Sequence, residues 1–170
     1  MVALRVPGSP GQVFDAFTGE IGLWWRDNSL FRFTPRGTGV VAFEPPTGGA
    51  PGRFVERLAG GEVFLIGEVT VWEAGRRLVF GWRQASFAPD QQTEVEIVFE
   101  PVGDETRVTV QHRGWDELPL GHAARHTMPA LLFDQRHGDW WRLLLSSLKA
   151  HRGRGAGAPG TDPAIDAPLA

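Results

Sequence analysis

Between residues 29 and 114 apolar side chains fall on every second position, and this sustained period of two restricts the fold more than any other feature of the chain. Val41 and Phe43 alternate in "GVVAFE", as do Phe31 and Phe33 in "FRF", and "RFVERL" sets Phe54, Glu56 and Leu58 on one side. After the turn "AGG" at 59–61 come "EVFLIGEVTVWE" and "LVFGWR", where Leu78, Phe80 and Trp82 share a face. "TEVEIVFE" turns Val95, Ile97 and Phe99 one way and Glu94, Glu96 and Glu100 the other, and "TRVTVQH" sets His112 beside Val108 and Val110. Alternation this regular predicts an antiparallel sheet with one dry face and one wet face.

Helical spacing flanks the strands. In "SPGQVFDAF" Ser9 caps, Pro10 suits the first helical position and Gln12 closes a capping box, so a helix is expected from about residue 10. Gly19 and Gly22 break the run of helical spacing into two short helices. At the other end Phe133, His137, Trp141, Leu144 and Leu148 recur every three or four residues, which predicts a helix over about 129–151. At 1.5 Å per residue it would be about 34 Å long, enough to cross a sheet. From residue 152 the chain is a Gly-, Ala- and Pro-rich tail expected to be disordered.

The order strand, two short helices, six more strands and a long helix is the helix-grip plan: an α+β fold in which a curved antiparallel sheet wraps around the C-terminal helix. "VFDAFTGEIGLWW", "GRFVE", "GEVTVWEAGRRLVFGW", "TRVTVQHRGWDELP" and "WWRLLLSSLKAH" occur in that order. Together they resemble the START-like SRPBCC superfamily, and within it the branch named for homology to the activator of heat-shock-protein-90 ATPase. The resemblance spans residues 1–151 as one domain. It implies a cavity between sheet and helix, and functions that range from binding lipids, hormones or polyketides to cyclisation, hydrolysis or protein contacts. The stretch between Trp115 and Trp140, residues 116–139, is longer than in minimal members and lies where such folds open their cavity.

Composition narrows the partners. With 17 basic and 20 acidic residues spread along the chain, net charge -3, there is no basic stripe for nucleic acid. Only Lys149 of the basic residues is lysine, and the arginines are scattered. Without cysteine there are no disulfides, thiolate nucleophiles or cysteine-bound metals. The N-terminus lacks the pattern of a signal peptide and no apolar run reaches membrane-spanning length, so a cytoplasmic protein without integral membrane association is expected. Glycine-rich turns lack the lysine and following helix of a phosphate loop, and no cofactor is expected.

Four of the seven tryptophans form two doublets, Trp24–Trp25 and Trp140–Trp141. Neighbours on a helix point about 100 degrees apart, so one of each pair packs while the other rims the space between sheet and helix, or all four seal the two layers. Phe31, Phe33, Phe54, Phe80, Trp82 and Phe99, with Leu144 on the long helix, would line an apolar cavity there or fill it completely. Glu56 and His112 are polar residues on inward faces and need partners; facing one pocket they would form an acid–base pair. His122 and His126, four apart, have a metal-like spacing but no third ligand, and Arg125 between them suits an anionic head group. The expected function is non-enzymatic binding of a hydrophobic or amphipathic small molecule. The alternatives are a co-chaperone-like activator of a heat-shock-protein-90 ATPase and a small cyclase or hydrolase using Glu56 and His112.

Overall fold

The structure, a computed structural model, describes residues 1–26, 32–35 and 39–156. Strand β1 (Val2–Pro7) leads into helices α1 (Pro10–Gly19) and α2 (Ile21–Trp24). Next come β2 (Val40–Glu44), β3 (Gly52–Arg57), β4 (Val63–Glu73), β5 (Arg77–Trp82), β6 (Thr93–Val102) and β7 (Glu105–Arg113). Helix α3 (Ala130–Ala156) closes the chain's described part. All seven strands form one antiparallel sheet in the order β1-β7-β6-β5-β4-β3-β2, curled around α3, which is the helix-grip α+β architecture.

Local chemistry accounts for the boundaries. Ser9 Oγ accepts from the Gln12 backbone N–H, and Gln12 Oε1 accepts from the Ser9 N–H at 3.0 Å, the expected capping box with Pro10 behind it. In β6, Val95, Ile97 and Phe99 are buried while Glu94 and Glu100 face solvent, and Leu78, Phe80 and Trp82 of β5 are buried beside them. Phe133, Trp140, Trp141, Leu144, Leu145 and Leu148 of α3 press into the same core.

Two expectations are corrected. Arg32–Pro35 form a bend and turn, not a strand, although Phe33 is buried and its carbonyl oxygen accepts from the Ala85 N–H at 2.7 Å; Phe31 lies outside the described residues. Helix α3 continues past residue 151 to Ala156. His151 Nε2 meets Glu20 Oε2 at 2.5 Å and Arg152 packs over Gly8, so contacts to the N-terminal segment hold a turn that composition alone disfavours. The rest of the expected tail, residues 157–170, lies outside the described residues. Among the described residues no helix is long and apolar enough to cross a membrane.

The sheet curls where two glycines meet. A Cβ built on Gly67 of β4 would sit 1.7 Å from the carbonyl oxygen of Gly81 on β5, and register shifts flank this crossing at Phe54/Val55 and Val69/Val71. Gly138 of α3 differs, since a Cβ there meets nothing closer than 3.7 Å. Gly67→Ala should therefore destabilise by about 3 kcal/mol or more through backbone collision, and Gly138→Ala should stabilise by roughly 0.5–1 kcal/mol through helix propensity. Urea melts of the two variants read both signs.

Candidate functional site

The space expected between sheet and helix is occupied by rings. Trp82, fully buried on β5, is surrounded by Trp25, Phe33, Phe54, His112, Trp140 and Trp141, with centroids 4.8–6.2 Å away. Phe54 packs against Phe80 at 5.2 Å, and Phe99 against Phe14 and Phe17 at 5.2 and 5.8 Å. Leu144 is buried in the same cluster. These residues fill the centre.

The two doublets meet through Trp25. Trp24 ends α2 fully buried, its ring against Phe17 and its Nε1–H donating to the Ala16 carbonyl oxygen at 2.9 Å. Trp25 has left the helix, with φ -61 and ψ 123, so the helical angle between neighbours does not apply to the pair. Its partly buried ring reaches Trp140 at 5.6 Å and Trp141 at 6.2 Å. Both tryptophans of the second doublet are buried.

Open space remains at one end, where a cleft of about 760 Å³ lies between β1, β7 and the first half of α3. Val2, His112, Trp115, His137, Gly138 and Trp141 belong to its lining, and the exposed charged residues Arg113, Asp116, Asp134, Asp139 and Arg142 form much of its polar wall. His112, carried inward by the alternation of β7, meets His137, carried inward by the helical phase it shares with Phe133 and Trp141. The Nε1–H of Trp141 only donates, so Nδ1 of His112, 3.4 Å away, is an acceptor and the His112 proton sits on Nε2. That N–H donates to Thr93 Oγ1 at 2.8 Å, and the Thr93 hydroxyl donates to the Trp82 carbonyl oxygen at 3.2 Å. His137 Nε2–H then donates to His112 Nδ1 at 2.9 Å.

This network has no place for a further proton on His112. Burial pushes the His112 imidazole well below its ordinary pKa of 6.5, with the neighbouring His137 adding to the effect. Burial likewise pushes His137 from 6.5 down to about 3, helped by the N-terminal ammonium. Both rings are therefore neutral at physiological pH, and the cleft presents a polar but uncharged pair among Trp115, Trp141 and the Phe133 ring stacked on His137.

Glu56 is elsewhere. It is buried at the side of a pocket of about 90 Å³ with Trp25, Arg32, Phe33 and Gly39, on a strand separated from β7 by β4, β5 and β6. Glu56 and His112 thus do not share a pocket, and the partner of His112 is His137. His122 and His126 do not form a helical pair either: they cap a 3-10 turn, Ala123–Arg125, and His122 is held by Gln91 Oε1 at 3.1 Å. Among the described residues no three His, Cys, Asp or Glu side chains converge to hold a metal ion. His137, Thr93 and Trp115 are absent from the candidates read in the sequence. His137 carried the same signal as His112, a polar residue in phase with an apolar stripe.

Because the folded chain keeps these histidines neutral and the unfolded chain protonates them near pH 6.5, the unfolded state binds more protons below that value. Stability should fall as pH drops from about 6.5 toward about 3, by up to about 1.4 kcal/mol per pH unit for each histidine. His137→Phe, which keeps a ring against Phe133, should flatten that dependence by about one proton. Denaturant midpoints at pH 7.5, 6.0 and 5.0 measure it, and an unchanged slope would clear His137 of the effect.

Known proteins share this architecture. The family model described as "Activator of Hsp90 ATPase homolog 1-like protein" matches residues 7–152. No curated protein matches the chain. Among solved structures, protein MLL2253 from Mesorhizobium loti is similar with a TM-score of 0.58 and 18% identity, over 90% of this chain and 96% of that one. CalU16 from Micromonospora echinospora has a TM-score of 0.53 and 18% identity, over 92% of this chain and 74% of its own. The AHSA1 protein SPO3351 from Silicibacter pomeroyi has a TM-score of 0.52 and 18% identity, over 91% and 99%. At such identities the likeness is one of fold.

Proposed function

The chain belongs to the family of activator of Hsp90 ATPase homolog 1-like proteins, and on that premise we propose that it is a cytoplasmic, non-enzymatic binder of a small amphipathic molecule. The observation that carries this reading is the cleft at the N-terminal half of α3, about 760 Å³ in volume, with Trp115 and Trp141 beside the neutral His112–His137 pair. A cleft of that size takes a drug-sized molecule. Indole rings offer flat apolar contact, and the imidazole pair offers hydrogen bonds without a charge to desolvate. Since the centre of the fold is filled around Trp82, the ligand lies at the end of the grip between helix and sheet.

Gly138 provides the test, because it lines the cleft and its missing side chain leaves room. Gly138→Phe should project a ring into the cleft between Val2 and Arg142 without disturbing the helix and weaken binding of the apolar probe N-phenyl-1-naphthylamine at least tenfold, read by probe fluorescence and by native mass spectrometry. Undiminished binding to Gly138→Phe would overturn the assignment to this cleft.

The family's description favours a second reading, a chaperone-directed role in which the domain stimulates an Hsp90-type ATPase. Titration of the chain into such a chaperone reads it directly: a dose-dependent rise in ATP turnover supports the role, and an unchanged rate with no complex removes it.

A further inference from the structure

The buried guanidinium of Arg125 has no carboxylate partner among the described residues. Arg125 is only 4% exposed. Its Nη1 donates to the Trp115 carbonyl oxygen, its Cζ lies 5.1 Å from the centroid of the Phe133 ring, and its Nε is buried with no hydrogen-bond partner. Arginine keeps its charge throughout the physiological range, and a carbonyl dipole and a ring face compensate a buried cation only in part. Asp116 and Asp134, which line the cleft, and Glu117 are solvent-exposed, and none forms an ion pair with Arg125. An anion is what this guanidinium lacks.

Arg125 stands one ring behind the cleft. Trp115, whose carbonyl it holds, lines the cleft, and Trp115 packs against Phe133 at 4.8 Å and His137 at 5.5 Å. The segment carrying it, residues 115–128, is bounded by left-handed backbone at both ends. Gly114 has φ 88, and the consecutive non-glycine residues His126 and Thr127 have φ 52 and 55. A β-branched residue such as Thr127 rarely adopts that conformation, and such strain gathers in segments that move or clamp. Between these ends Leu118 and Ala124 are buried, and His122 ties the segment to Gln91.

We propose that Arg125 is the anchor for an anionic group on the ligand of this cleft, and that residues 115–128 form the strap that carries it. Without ligand the guanidinium rests on the Trp115 carbonyl and the Phe133 ring. When ligand enters, the strap turns at Gly114 and at His126–Thr127, and the fork of Arg125 pairs with the ligand's carboxylate, sulfonate or phosphate. The ligand class is then an apolar, ring-containing molecule with one acidic group. This inference rests on the cleft being the binding site.

Two fluorescent probes with a common ring system separate the claims: 1-anilinonaphthalene-8-sulfonate carries an anion and N-phenyl-1-naphthylamine does not. The wild-type chain should bind the sulfonate at least tenfold more tightly, with an advantage that shrinks as salt is raised. Arg125→Met should abolish that advantage while leaving the neutral probe within twofold, and Arg125→Lys should keep part of it. Circular dichroism checks that each variant folds. If Arg125→Met does not fold, the folded Arg125→Lys variant decides against Arg113→Met and Arg142→Met, since those two arginines also line the cleft: a preference reduced in the lysine variant alone assigns the anion to Arg125. Equal binding of both probes to the wild type, or an unchanged preference in a folded Arg125→Met, overturns the anchor and leaves the cleft reading intact. If neither probe binds the wild-type chain, the cleft reading fails and the anchor with it.

Discussion

The packing of α3 against the concave face of the sheet, centred on Trp82, is the interaction on which the rest of the structure depends. Six rings surround Trp82 from four directions in the chain: the segment after α2, the bend at Phe33, the strands, and α3. Aromatic pairs of this kind contribute about 0.5–1.5 kcal/mol each beyond the area they bury. Between β4 and β5 the backbones pass so closely that Gly67 leaves no room for a side chain beside Gly81. A flat sheet would touch the helix along one line and leave these rings in water.

Filling the centre has consequences at the edge. A long helix cannot follow a curled sheet along its whole length, so packing that is tight at Trp82 leaves space beside β1 and β7. The side chains at that transition are in phase with the core yet close to water, and there His112 and His137 occur. They satisfy each other, Thr93 and Trp141 while staying neutral, because a charge would lose its hydration with nothing to replace it. Glu96 obeys the opposite rule on the outer face of the sheet: it is largely covered, yet stays charged because Arg77 and Arg113 pair with it at 2.7 and 2.6 Å.

Much of the fold was legible because its signals are local. The Ser9–Gln12 capping box, the buried faces of β5 and β6 and the apolar stripe of α3 each need only a few neighbouring residues to declare themselves. The site was less legible. His112 stood out on its strand, but its partner is 25 residues away on a helix, and no local pattern distinguishes that pairing from one with Glu56. The tryptophan doublet misled in a specific way: helical angles govern Trp24 and Trp25 only if the two share a helix, and the chain turns extended between them.

By itself, the sequence determined the period of its strands, the phase of its helices and the lack of cysteine chemistry, since these depend on side-chain type and spacing along one dimension. Tertiary structure alone decided that the aromatics fill the interior, that a cleft opens beside β1 and β7, that His112 pairs with His137 and that Arg125 is buried without a carboxylate partner among the described residues. Those outcomes depend on how far the sheet curls and where the helix crosses it, and both are set by contacts between residues far apart in the chain.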